Sequence, residues 1–318
     1  MKQNFPDRTV GGENLASVEA KMHPRRSAKD AQAIAVGLGA SMGEADIRTI
    51  FSAYDSVHKH LPFPSDVSVS YDITYGTHER HKLDYYHPKT SDLSSLVIFV
   101  HGGGFVSGGR RLSPDSSFYG NIGWCLAHAG FACAVISYRL APEHKWPAGA
   151  DDLATATDAV LSGVLGAKRL RDNIVLFGHS AGSAHVAGYI SRAATEGLKR
   201  PCRAAILLSG LYDLEVVEGR ATSIANYFGQ NRAMWPERSS ADGLLKSEIP
   251  LFFGHAEHDP RDFQTQAVGM LARMARFGRI ARGAMFANHT HISEIASIGT
   301  EDATVVSKLL LFLREFGA

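Results

Sequence analysis

The sequence has no run of about 18 apolar residues, the length a helix needs to span a bilayer, so no membrane crossing is expected. Cysteine is scarce. Cys125, Cys133 and Cys202 lie far apart in apolar surroundings, and no CxxC occurs. That spacing argues against disulfides and a zinc site and for buried thiols in a reducing compartment. Charge of one sign is also missing: 33 Lys and Arg stand against 32 Asp and Glu, for a net charge of +1. Only short basic pieces occur, such as Pro24-Arg25-Arg26 and Arg110-Arg111, which makes nucleic acid and acidic membranes poor partners. The first twenty residues lack the apolar segment of a secretory signal, so a soluble, cytoplasmic protein is expected. No low-complexity tract or internal repeat is visible.

What is present is an ordinary globular composition, 45% hydrophobic and 20% charged over 318 residues. The first 60 or so residues read as helices: Ala28–Leu38 is Ala-rich, and 43–58 carries Ile47, Ile50, Phe51 and Tyr54 at helical spacing. Leu61-Pro62-Phe63-Pro64 ends that pattern. From residue 66 the period changes. Val67, Val69 and Tyr71 alternate with polar residues, Leu83–Tyr86 offers a partner strand, and Leu96–Val100 is a continuous apolar run. Further strands are expected at 132–137, 174–177, 204–208, 250–253 and 284–286. Helices are expected between and after them, at 118–129, 148–164, 181–195, 262–277 and 301–316. This alternation implies an α/β protein with a mostly parallel eight-stranded sheet, covered by helices on both faces and antiparallel at its start. Residues 1–64 form an N-terminal helical segment and 65–318 the main domain. About forty residues separate the strand ending near Leu208 from the one starting near Pro250, and they contain Tyr227, Phe228, Trp235 and Pro236. A connection this long reads as an inserted piece of lid at 210–249, meeting the N-terminal helices.

Three sequence features carry chemistry. Gly178-His179-Ser180-Ala181-Gly182 is a G-x-S-x-G between an apolar run and a helical stretch, the setting in which a serine is exposed on a sharp strand-to-helix turn. The bland reading is a Gly-rich βα turn. His101-Gly102-Gly103-Gly104-Phe105 follows the apolar strand 96–100. Bare backbone there can aim N–H groups at a developing oxyanion. Gly103 and Gly104 are the expected donors, with the N–H of Ala181 as the third. A phosphate loop is disfavoured, because no Lys-Ser/Thr follows and no GxGxxG is present. His101 reads as a structural hydrogen-bonder of this loop.

The third feature is order. A nucleophilic serine needs a base, and the base needs an orienting acid further along the chain. His289 and His291, in Ala287-Asn288-His289-Thr290-His291, are the candidate bases; His185 reads as surface or packing. A metal reading of the pair lacks a third ligand. In the segment after the strand at 250–253, Asp259 is the chosen acid, held by Pro260, with Glu257 in reserve. Asp259 as a helix cap is the alternative. Phe105 and His179, beside the two glycine motifs, are expected to contact substrate. Phe63, Tyr227, Phe228 and Trp235 suggest an apolar acyl or aryl pocket.

With His101–Phe105, Tyr138-Arg139-Leu140-Ala141-Pro142-Glu143, Trp146-Pro147-Ala148, Asp151-Asp152, Gly178–Gly182, Asp259-Pro260 and His291 in view, residues 66–318 resemble the hormone-sensitive-lipase-like carboxylesterases of the α/β-hydrolase superfamily. They are also similar to feruloyl-esterase-like and kynurenine-formamidase-like enzymes. The resemblance implies an α/β-hydrolase fold with a helical cap built from N-terminal helices and an insertion. It implies Ser180 as nucleophile, Asp259 as acid and His291 as base, the last because His291-Ile292-Ser293 fits the family's pattern. It also implies Glu143 as a buried structural carboxylate near the serine. His179, where that lipase-like group usually has Asp or Asn, leans toward the formamidase-like and feruloyl-esterase-like side. The activity expected is serine carboxylesterase action on short-to-medium or aromatic esters, with a formamidase using the same residues as the alternative and a non-catalytic receptor third. No cofactor and no metal are expected. The expected partner is a small-molecule ester, with a homodimer left open.

Overall fold

The computed structural model describes residues 26–89, 95–114, 116–166, 173–197, 202–218 and 222–317. The first 25 residues of the expected N-terminal segment therefore lie outside the described residues. Eight strands form one sheet: β1 (Val67–Thr74), β2 (Lys82–Pro88), β3 (Leu96–Val100), β4 (Ala132–Ile136), β5 (Ile174–His179), β6 (Ala204–Leu208), β7 (Leu251–His258) and β8 (Arg282–Thr290). Their order is β1-β2-β4-β3-β5-β6-β7-β8. β2 pairs antiparallel with both β1 and β4, and all other pairs are parallel. β3, β4 and β6 are apolar throughout and β5 is apolar up to its closing Gly178-His179, because both faces are covered.

The helices are α1 (Ala28–Leu38), α2 (Glu44–Lys59), α3 (Gly120–His128), α4 (Ala148–Ser162), α5 (Ala181–Glu196), α6 (Thr222–Phe228), α7 (Trp235–Arg238), α8 (Ala241–Lys246), α9 (Arg261–Arg276), α10 (Ser293–Ala296) and α11 (Val306–Phe316). Alternate strand residues feed two cores. Val97, Phe99, Val135 and Phe177 pack with α1, α2, α3 and α11 on one face. Leu96, Ile98, Val100 and Leu176 pack with α4, α5, α8 and α9 on the other. The alternation is the period-2 geometry of the pleated strand.

The two segments read as lid pieces enter different clusters. Ala28, Ala31, Ala35, Ile50 and Tyr54 join the first core. Leu211, Leu214, Ile224, Tyr227, Phe228 and Trp235 instead form a third cluster with Phe105, Ala181 and Ala184. Some boundaries differ from expectation. β7 and β8 run on to His258 and Thr290, their polar ends held by pairing out to His258 opposite Thr290, past a bulge after Ala256. α11 starts at Val306 and not at 301, since Asp302 is spent on a turn that accepts the Thr304 N–H at 3.0 Å. All three cysteines are free, and burial pushes the Cys125 and Cys202 thiols up to about 11 and about 12. Among the described residues no helix is long and apolar enough to cross a membrane.

Candidate active site

The G-x-S-x-G stretch folds as a hairpin-sharp turn from β5 into α5. Ser180 sits at φ 57° and ψ −121°, a strained conformation for a residue with a side chain. Its N–H is anchored to Leu208 O at 2.9 Å. The start of α5 lies so close to the end of β3 that residue 182 must be glycine: a Cβ there would lie 2.0 Å from Val100 O. The turn that carries Ser180 is therefore fixed against both β6 and β3.

Ser180, His291 and Asp259 meet at the carboxyl ends of β5, β8 and β7. Ser180 Oγ lies 2.8 Å from His291 Nε2, and His291 Nδ1 lies 2.6 Å from Asp259 Oδ1. Asp259 Oδ2 accepts the Ala256 N–H at 2.8 Å and the Ser209 hydroxyl at 2.6 Å. With every carboxylate contact directed inward, Asp259 caps no helix; α9 starts without a side-chain cap. Ser180, His291 and Asp259 are all buried, and Ser180 is the most exposed of them, at 7%.

The other sequence candidates go elsewhere. Glu257 is exposed and accepts the Asn288 N–H at 2.8 Å. His289 is the penultimate residue of β8, with Ser293 Oγ 3.2 Å from Nδ1 and Asp302 Oδ2 3.2 Å from Nε2. That imidazole holds the Asp302 carboxyl well below its ordinary range. His185 is buried against Phe105, Tyr138 and Tyr227, in packing contact.

The glycine loop after β3 curls toward the serine. Gly103 has φ +122°, and a Cβ there would stand 2.1 Å from Ser107 O, so the tight turn that closes on Ser107 needs glycine. The Gly102 N–H is taken by Tyr119 Oη at 3.1 Å. Among the described residues, the N–H groups of Gly103, Gly104 and Ala181 have no hydrogen-bond partner. His101 is fully buried and stacked on Tyr138, with Nδ1 2.6 Å from Gly102 O. Burial pushes it down to about 3, so the ring is neutral and Nδ1–H braces the loop. Tyr138 adds a hydroxyl donated to His101 O at 2.8 Å.

Two expectations are corrected here. Glu143 is exposed in a surface turn after Leu140 and is not a buried carboxylate. The buried carboxylate serving the Tyr138-Arg139 segment is Asp152, which accepts the Arg139 N–H at 2.7 Å and its guanidinium Nε at 2.8 Å. His179, expected to touch substrate, is 1% exposed and turns its Nε2 to His291 O at 2.8 Å. Phe105 is buried, stacked on Tyr227 at 4.7 Å, in the cluster it forms with Leu211, Leu214, Ile224, Phe228 and Trp235.

With this geometry in hand, comparison with known proteins is informative. A family model described as the alpha/beta hydrolase fold matches residues 97–262, just over half the chain. The chain belongs to this α/β-hydrolase family. The esterase LipC of Mycobacterium tuberculosis is 30% identical over 173 residues, 54% of this chain and 38% of that protein. The kynurenine formamidase of Salmo salar is 31% identical over 207 residues, 61% of this chain and 65% of that protein. The chain thus spans less than two thirds of these relatives' lengths. Among solved structures, esterase B of Lactobacillus Rhamnosis superimposes with a TM-score of 0.69 at 18% identity, covering 91% of this chain and 95% of that one. A hormone-sensitive lipase from a metagenome library gives 0.67 at 18% identity, covering 92% and 99%. These superpositions show the shared fold.

As an α/β hydrolase the chain also holds residues that sequence reasoning passed over. Ser209, at φ 47° just beyond β6, reaches Asp259, and Glu294 reaches Ser209 at 2.5 Å. The Phe263 ring lies 4.3 Å from the His291 ring. A signal existed for Ser209, a small polar residue before Gly210 at the carboxyl end of an apolar strand. Glu294 carried one too, as an isolated acid in the apolar stretch Ile292–Ala296.

Proposed function

We propose that this α/β hydrolase is a serine carboxylesterase acting on short-to-medium or aromatic esters through an acyl-enzyme. The observation that carries the reading is the pair of contacts at His291, with Ser180 Oγ at Nε2 and Asp259 Oδ1 at Nδ1. A serine hydroxyl is a weak nucleophile unless a base takes its proton, and an imidazole charged by that proton is stabilised by an adjacent carboxylate. In the first step His291 Nε2 accepts the Ser180 proton as Oγ attacks the ester carbonyl. The carbonyl oxygen becomes an anion facing the free N–H groups of Gly103, Gly104 and Ala181. His291 returns the proton to the departing alcohol. Water then attacks the acyl-enzyme with His291 again as base, releasing the acid and free Ser180. The cluster of Phe105, Leu214, Ile224, Tyr227, Phe228 and Trp235 beside Ala181 supports an apolar acyl or aryl group. On this reading residues 210–249 form the roof of the pocket, and the protein works in the cytoplasm.

The same machinery cleaves a formamide, and the likeness to a kynurenine formamidase favours that second reading. An organophosphonate probe is expected to label Ser180, and a p-nitrophenyl ester to turn over faster than an N-formyl arylamine. No labelling would sink the serine hydrolase, and faster formamide turnover would replace esterase with formamidase.

A further inference from the structure

Glu294, the second residue of α10, is a fully buried carboxyl that the proposed reaction does not use. Its Oε1 lies 2.5 Å from Ser209 Oγ, and Ser209 Oγ lies 2.6 Å from Asp259 Oδ2. Ser209 has one hydroxyl proton for two carboxyl oxygens. If both acids were ionised, one of these short contacts would set lone pair against lone pair, so one acid must carry a proton.

The surroundings decide which. Asp259 faces the Ala256 N–H and His291 Nδ1, both of which favour the anion. Glu294 has no comparable support: Oε2 is buried without a partner, and the nearest imidazole nitrogen, His179 Nε2, stands 3.4 Å from Oε1. That imidazole is pushed down to about 4 by burial, and it commits its N–H to His291 O at 2.8 Å. The groups facing Glu294 are His179 at the end of β5, Ser209 and Tyr212 after β6, Asp259 after β7, and His289 and His291 at the end of β8. Burial first and the Asp259 charge second hold the Glu294 carboxyl well above the usual range.

We infer that Glu294 is a protonated positioning residue: it donates to Ser209 Oγ, Ser209 donates to Asp259 Oδ2, and Asp259 keeps Oδ1 for His291. The chain of donors then has one direction, and Ser209 cannot turn away from the acid it orients. Loss of the Glu294 proton at alkaline pH sets a second anion against Ser209 and removes that direction. The inference rests on Asp259 as the orienting acid.

The test compares the full-length wild type with Glu294→Gln, Glu294→Ala and Ser209→Ala. Infrared difference spectra at neutral pH are expected to show the C=O band of a buried carboxylic acid in the wild type and none in Glu294→Gln, whether or not the variant is active. Glu294→Ala and Ser209→Ala are each expected to lower kcat about tenfold with KM little changed, the order of effect of one hydrogen bond to a charged group. Glu294→Gln, which still donates to Ser209, is expected to recover most of that loss and to lack the wild type's alkaline decline in kcat/KM. Absence of the band would overturn the inference. So would a Gln variant no better than Ala, or one whose acid limb of the pH profile moves by a unit or so, as removal of a neighbouring charge would do. Failure of Ser180 to react with the phosphonate would instead defeat the esterase reading while leaving the band in place.

Discussion

His179 Nε2–H is donated to the main-chain carbonyl of His291 across 2.8 Å, so the residue before the serine grips the residue that faces it. The two rings lie 4.9 Å apart, and burial keeps His179 neutral with its pKa down to about 4. The bond sets the distance between β5 and the turn after β8, and therefore the reach from Nε2 of His291 to Oγ of Ser180. Replacing His179 by Phe fills the space without the donor. The variant is expected to fold and to lose about tenfold in kcat on an ester substrate, with KM nearly unchanged. Asparagine at the same position should recover part of the loss if its amide reaches the carbonyl.

Substitution within the Ser180–His291–Asp259 set has larger expected effects. Ser180→Ala and His291→Ala should each reduce kcat by about 10⁴ to 10⁶, and the double variant should be hardly worse than either, as for groups acting as a unit. Asp259→Asn, which keeps shape but loses the charge opposite His291, should cost about 10⁴. Steady-state rates on a p-nitrophenyl ester check all of these, and a Ser180→Ala enzyme with normal rates would end the assignment.

Two glycines are expected to tolerate no side chain. Gly182→Ala would drive a Cβ to 2.0 Å from the Val100 carbonyl oxygen, which is backbone and cannot swing away. The expected result is a loss of stability of more than about 4 kcal/mol, or no folded protein, read by denaturant unfolding. Gly103→Ala meets Ser107 O at 2.1 Å but in a loop. It should melt closer to wild type yet lose about 10² to 10³ in kcat through misplaced oxyanion donors.

Acid should weaken the fold through three buried histidines. Burial lowers His101 to about 3, His179 to about 4 and His185 to about 3, against an ordinary value near 6.5. Folded, these rings stay neutral, whereas the unfolded chain binds their protons below about pH 6.5. The unfolded state therefore holds more protons between about pH 6.5 and about 4, and stability falls as pH falls through that window. Each ring contributes about 1.4 kcal/mol per pH unit there. Neither ring nitrogen of His185 has a partner, so His185→Phe should flatten the fall in melting temperature between pH 6 and pH 4.5. An unchanged slope would contradict the neutral ring.

The roof offers a test of substrate size. Phe105 and Tyr227 lie face to face, 4.7 Å apart and nearly parallel. Tyr227→Ala should open the apolar cluster, lower kcat/KM for short acyl esters and shift the preferred chain length upward. A chain-length series of p-nitrophenyl esters reads this, and an unchanged optimum would mean the acyl group lies elsewhere.

Much of this was legible in the sequence for a physical reason. A parallel sheet covered on both faces forces unbroken apolar strands such as Leu96–Val100, and a serine on a sharp turn forces the glycines around it. The carboxyl ends of β7 and β8 were less legible, because His255, His258 and Thr290 are polar while their backbones still pair. Choosing between Asp259 and Glu257 depended on where each carboxyl points, which spacing does not encode. Glu143 misled for a similar cause: a charged residue in a family-like motif says nothing of whether its turn faces inward. Ser209 and Glu294 are 85 residues apart, and although each stands out in its own apolar stretch, no local pattern says that the two meet.

In the proposed mechanism the nucleophile Ser180 follows β5, the acid Asp259 follows β7 and the base His291 follows β8, which is the last strand in the chain and an edge of the sheet. The residue that makes Ser180 reactive is thus delivered last. During synthesis the growing chain carries an inert serine until the residues around His291 leave the ribosome and β8 zips onto β7, so reactivity toward ester analogues would appear late and all at once.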